Sequence, residues 1–285
     1  MKKTDKSHYW KKYEARIVEK GGTIQNRVLL GIPMTGELRA EWHLAIMSQV
    51  IPCNWSHTQR IQWLPQASPL RFCVADARNI IVKDVVEGGF EWLLQIDHDV
   101  QLPPLFFVHM NEYMIEGKIP VVTGLYFTKS RPAEPLVYRG RGNGYYSKWK
   151  IGDKVWVDGH GMGMTLIHGD LLRAMYAESE EYNAFGQKVR KVFETPQKVF
   201  YDPESKTFNT QTGTEDLAWC SRVMREGWME KSGWKRYAKR KYPFLVDTRL
   251  FGWHLDMSGT RYPSAGEQGK FLSQGQGFDP SGLKK

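Results

Sequence analysis

The chain has 285 residues, 41% of them hydrophobic and 25% charged, with a formal net charge of +9. This length and apolar fraction support one substantial core with insertions and exclude a fibrous or wholly disordered protein. No apolar signal segment follows the basic N-terminus, and no apolar run approaches bilayer-spanning length, so a cytoplasmic location is expected.

Cys53, Cys73 and Cys220 are odd in number, widely spaced and outside any CxxC, which argues against a disulfide framework or a zinc site. The charge is localised. Residues 1–20 carry seven Lys/Arg against three Asp/Glu, residues 228–242 carry six against one, and the remainder is neutral. Two basic segments, rather than a basic surface, make the case for a polyanionic partner.

Residues 1–25 read as a basic extension. RVLLGI (27–32) predicts a strand ended by Pro33, after which Leu38, Trp42, Ala45 and Ile46 recur at helical spacing. Ala77, Ile81 and Val85 mark a second helix with Asp76 as its cap, and WLLQI (92–96) a strand buried on both faces. A helix opening at Pro103-Pro104 aligns Phe106, Met110, Tyr113 and Met114, and leads into a strand over 119–123. Such alternation implies an α/β fold with a mainly parallel sheet covered by helices.

Beyond Gly124 come a strand near 155–158, the loop Gly159-His160-Gly161-Met162-Gly163 and the strand MTLIH. Residues 178–213 are polar and poorly periodic, which reads as a long excursion of the lid or substrate-binding kind. A helix from Glu215 to Glu226 and the strand FLVDTR (244–249) complete a domain spanning 26–258. The Gly/Ser/Gln-rich tail, 259–285, is expected to be mobile.

Asp97-His98-Asp99 directly follows the buried strand, at the carboxyl end where open α/β sheets place their ligands. Two carboxylates there are costly unless a positive group joins them. A hard divalent ion shared with a diphosphate meets that need, although a solvated turn has the same triplet pattern.

The series ADARNIIVKDVV, EWLLQIDHDVQLPP, VVTGLYF, VDGHGMGMTLIH, GTEDLAWCSRVMREG and LFGWHLD, in that order over residues 27–256, resembles the GT-A glycosyltransferases. It is most similar to bacterial, phage and fungal mannosyltransferase-like members whose DxD strand follows an "ARN" helix. The resemblance implies a Rossmann-like GT-A fold, helices on both faces of a mainly parallel central sheet, and, for a phage protein, a host-cytoplasmic location. It implies Asp99 as a metal ligand, Asp97 at the ribose or the metal, and His254 of GWH as the third ligand. Imidazole beside carboxylate suits Mn²⁺ somewhat better than Mg²⁺. His98 points elsewhere, because side chains alternate along an extended segment.

By the same resemblance Asp216, with Glu215, is the general base at the acceptor. Helix-end electrostatics alone explain Glu215 well and Asp216 only in part. Gly161 and Gly163 line the donor-sugar pocket or simply serve a tight turn, and Pro33, Thr35 and Arg78 match nucleobase and diphosphate contacts. The chain departs from the family pattern at WMEKSGWKRYAKRKY. There Trp234, Lys235, Arg236, Lys239, Arg240 and Lys241 suit nucleic-acid contacts, docking at an anionic membrane, or a solvated loop.

The expected activity is hexose transfer from a UDP- or GDP-sugar to an acceptor hydroxyl, with inversion. Hydroxymethylated DNA is preferred over an envelope or lipid-linked glycan as acceptor. A sugar nucleotidyltransferase and a non-catalytic nucleic-acid-binding protein are the competing classes. GIPMTGEL is a poor version of the phosphate loop that the former requires.

Overall fold

The computed structural model describes residues 28–52, 69–140, 144–265 and 267. The expected basic extension, Cys53 and most of the tail lie outside these residues. Cys73 is exposed and Cys220 buried, and the two are not joined by a disulfide.

The central sheet has six strands in the order β1 (Val28–Gly31), β2 (Trp92–Ile96), β8 (Met164–His168), β4 (Val121–Leu125), β13 (Phe244–Phe251) and β6 (Lys154–Val157). β1 and β2 are parallel, as are β4 and β13, whereas β8 runs antiparallel to both β2 and β4 and β6 antiparallel to β13. The sheet is therefore mixed, which corrects the expectation of a mainly parallel one. MTLIH is buried like its neighbours, and a strand buried on both faces carries no periodicity that reveals its direction.

Helices cover both faces. Residues of alternating parity along the strands divide between two apolar layers. Leu29, Leu93, Val121, Ile167 and Val246 pack with α2 (Val74–Glu87), α4 (Gly169–Glu178) and α5 (Glu215–Arg225). Val28, Leu30, Leu94, Val122 and Leu245 pack with α1 (Ala40–Met47) and α3 (Phe106–Glu116). In α2 the predicted face of Ala77, Ile81 and Val85 is buried, but Cys73 is the N-cap residue, and the Asp76 carboxylate accepts from the Tyr182 hydroxyl instead.

The 178–213 segment is not irregular. It forms two hairpins, β9 (Glu181–Ala184) with β10 (Gln187–Arg190), and β11 (Gln197–Asp202) with β12 (Thr207–Thr212). Short polar strands with exposed faces leave little apolar alternation to detect. The first hairpin is fixed to α2 by Asn79, which accepts from the backbone N–H groups of Val192 and Phe193 and donates to the Tyr182 hydroxyl.

The basic segment forms two short helices, α6 (Trp228–Lys231) and α7 (Lys235–Ala238). Trp228 and Tyr237 are buried in the core rather than offered for stacking. Trp234 contacts His168, which pairs with Trp92 at the start of β2, and the Tyr237 hydroxyl donates to the Lys118 carbonyl just ahead of β4. The insert thus sits at the end of the sheet opposite Asp97. The five residues of β2 separate the two ends by roughly 15 Å.

Candidate active site

Three chain segments meet at the carboxyl end of β2. Asp97-His98-Asp99 turns into β3 (Val100–Gln101), and β3 pairs with β14 (Trp253–Leu255), placing His254 opposite Val100. The Leu255 N–H donates to the Asp99 carbonyl at 2.7 Å, locking that register. His254 Nε2 consequently lies 3.4 Å from Asp99 Oδ2, while its Nδ1 faces the Phe127 carbonyl at 2.7 Å.

With Nδ1 turned to the Phe127 carbonyl, Nε2 faces the Asp99 carboxylate, where it donates a hydrogen bond when protonated and could share a cation with that carboxylate when not. Lys129 meets part of the need, its Nζ donating to Asp99 Oδ2 at 2.5 Å. Burial opposes ionisation of Asp99, but the hydrogen bond from His254 and the charge of Lys129 hold its carboxyl well below the usual range. A mixed N/O pair of this kind could hold a hard divalent ion such as Mn²⁺ or Mg²⁺.

Asp97 is held by the protein itself. Both its oxygens accept from Arg78, at 3.0 and 3.2 Å. Among the described residues no group of three or more His, Cys, Asp or Glu side chains is arranged to hold an ion. Arg78 is 2% exposed and also donates to Gln95 and, at 3.2 Å, to Glu215. Burial alone would lower the guanidinium's pKa, yet Asp97 and Glu215 more than offset it and hold the group above its ordinary value. Burial, with repulsion from Asp99 and Glu215, pushes the Asp97 carboxyl up against the opposing pull of Arg78.

Gln95 was legible as the single polar side chain in an apolar strand. Lys129 and Tyr126 gave no such signal. Asp216 follows Glu215 in the first turn of α5. Its Oδ1 accepts from the Leu217 N–H at 2.7 Å. Burial and the adjacent Glu215 charge push it up to about 6. It faces two tyrosines: burial together with Asp97 and Asp216 raises Tyr126, and burial with Asp216 pushes Tyr138 up to about 12.

Gly161 and Gly163 are packing requirements. A Cβ at Gly161 would lie 2.2 Å from the Tyr126 hydroxyl, and one at Gly163 would lie 3.0 Å from Asp97 Oδ2. The Tyr126 hydroxyl in turn accepts from the Gly163 N–H at 2.8 Å.

His98 turns from the ion pair toward the loop after β1, as side-chain alternation predicts. Its Nδ1 meets the Pro33 carbonyl and its Nε2 the Thr35 hydroxyl, both at 3.0 Å. Pro33, Thr35, Phe72, Val74 and Asp97 to Asp99 line a cleft of about 140 Å³. Two larger hollows of about 570 and 430 Å³ flank Lys191 and Glu194 and contain none of these residues. The small cleft is the chemically significant one, because charged groups converge on it. Trp234, Lys235, Arg236, Lys239, Arg240 and Lys241 are not brought to it. Arg240 lies over the Trp156 ring at 4.1 Å, on the edge strand β6.

No protein-family model matches the sequence, and no curated protein matches it. Among solved structures, the crystal structure of A197 from STIV is similar at a TM-score of 0.48 and 18% identity, covering 82% of this chain and 88% of that one. A likeness of that degree carries no argument about function. No helix among the described residues is long and apolar enough to cross a membrane.

Proposed function

We propose that this chain is a metal-dependent glycosyltransferase that moves a hexose from a UDP- or GDP-sugar to an acceptor hydroxyl, with inversion at the anomeric carbon. One observation carries the reading. Buried Arg78 joins Asp97 to Glu215, with the Asp99–His254 pair beside one carboxylate and Asp216 beside the other. A divalent ion held by Asp99 and His254 would neutralise charge developing on the departing nucleoside diphosphate.

Asp216 takes the proton of the attacking hydroxyl. A carboxyl with a pKa of about 6 is mostly ionised at neutral pH and is a better proton acceptor than an ordinary aspartate. Glu215, tied to Arg78, is a positioning residue that fixes the first turn of α5 and so aims Asp216. Tyr126, Gly161 and Gly163 close the space between the two halves.

The preferred acceptor is a hydroxymethylated base in DNA. The cations of the 228–242 insert are too far from Asp216 to touch the reacting base. They could meet phosphates only of an extended polymer that runs across the protein, and the base would have to be flipped out of a duplex. An envelope or lipid-linked glycan is the competing acceptor. The nucleotidyltransferase reading is weakened by the loop after β1, where Arg39 is already engaged by Glu41 and the Met257 carbonyl.

Hydrolysis of UDP- and GDP-sugars with Mn²⁺, followed by mass spectrometry of hydroxymethylated DNA and of glycan acceptors, tests the proposal. A hexose mass gain that disappears in Asp216→Asn is the expected result. Absence of any donor turnover, together with no stabilisation by a nucleoside diphosphate and metal, would refute it.

A further inference from the structure

We propose that Phe185, together with Phe72, forms an aromatic rim that stacks on the planar base of the donor nucleotide, an inference that rests on the nucleotide-sugar reading above. In the β9–β10 hairpin Ala184 pairs with Gln187, leaving Phe185 and Gly186 as a two-residue turn with φ of 48° and 88°. Turns with both central residues at positive φ favour Asn-Gly, because the Cβ of a bulky side chain crowds its own backbone there. Phe185 occupies the first position nonetheless, and it is 81% exposed. Neither turn geometry nor burial accounts for a phenylalanine here.

Its surroundings do. The Phe185 ring meets Phe72 edge-on, with centroids 5.3 Å apart and planes at 90°. Phe72 is a wall of the cleft that contains Pro33, Thr35, Asp97 and Asp99. The mount is firm. Asn183 Oδ1 accepts from the Gly186 N–H at 2.6 Å, Ala184 and Val189 pack on Ile80, and Tyr182 bonds to both Asp76 and Asn79 of α2.

Leu70 and Val74 add exposed apolar surface along the same rim. The cleft thus combines apolar, aromatic surface at Phe72 and Val74 with the carboxylates of Asp97 and Asp99, the latter beside Lys129 and His254. A ligand with a flat ring at one end and an anion that recruits a cation at the other matches both, which describes a nucleoside diphosphate. Stacking tolerates any base, so the rim adds affinity common to UDP and GDP rather than a choice between them.

The test is calorimetric binding of UDP, GDP and inorganic pyrophosphate to the full chain with Mn²⁺, pyrophosphate being the probe that lacks a base. Phe185→Asn is expected to weaken UDP and GDP roughly 10-fold. It should leave pyrophosphate unchanged and raise Tm by roughly 2–4 °C, because Asn tolerates positive φ. Phe185→Tyr should keep wild-type nucleotide affinity.

Unchanged nucleotide affinity in Phe185→Asn, or an equal loss of pyrophosphate, overturns the inference. If the wild-type chain binds pyrophosphate as tightly as UDP and GDP, the rim is overturned while the metal–diphosphate site stands. If it binds none of the three, both readings fall.

Discussion

Replacing Arg78 by methionine removes a guanidinium while nearly preserving its volume. Asp97 loses two hydrogen bonds and Glu215 one, in a place where their side chains are only 22% and 12% exposed. Removing one partner of a buried ion pair costs about 3–5 kcal/mol. Partial access of water to both carboxylates reduces that here to roughly 2–4 kcal/mol, which for a chain of this size lowers Tm by about 5–10 °C.

The pH dependence has a definite sign. Without Arg78 the Asp97 carboxyl, already pushed up by burial and by the Asp99 and Glu215 charges, loses the main charge that draws it down, so the folded state takes up a proton before the unfolded chain as pH falls. The variant's deficit should therefore be largest near pH 8 and shrink toward pH 5. Thermal unfolding of wild type and Arg78→Met between pH 5 and 8 measures this. A loss below about 2 °C at pH 8, or a gap that does not change with pH, would refute the role of Arg78 as the charge that permits two buried acids.

Asp216→Asn should reduce kcat/KM by about 10²–10⁴-fold yet raise stability at pH 8 by on the order of 1–3 kcal/mol. The charge it removes is one whose carboxyl is pushed from 3.8 to about 6, so wild-type stability declines as pH rises through that window. Wild-type kcat/KM should itself fall below about pH 6, which a pH–rate profile checks directly. Gly161→Ala should cost about 1–3 kcal/mol in chemical denaturation, and adding Tyr126→Phe should recover part of it by removing the hydroxyl 2.2 Å from the new Cβ. Lys129→Met should tighten Mn²⁺ binding to the nucleotide-free chain by about 5-fold in calorimetry, since the cation it removes forms a partly exposed pair with Asp99. Equal affinities would show that Lys129 does not compete for that carboxylate.

The sequence by itself determined the local parts of this protein. Apolar runs place β1, β2 and β8, the 3.6-residue stripe of Ala77, Ile81 and Val85 places α2, and the strand-to-acid junction places Asp97 to Asp99 at a sheet end. Each of these follows from neighbours in the chain, because burial and backbone geometry act over a few residues. Only the tertiary structure decided what long-range pairing controls. β8 enters antiparallel between β2 and β4, and β14 adds to β3 and carries His254 across 155 positions of sequence to Asp99. Arg78 turns inward to hold Asp97 and Glu215, while its neighbour Asn79 turns to the β9–β10 hairpin. The basic insert is the clearest case. Its aromatic residues read as stacking surface in one dimension, but packing against β6, β8 and α3's exit spends them in the core and leaves the cations at the end of the sheet away from the carboxylates. A side chain's partners across the fold depend on which strands pair and in which direction, and a both-faces-buried strand does not encode that in its own pattern.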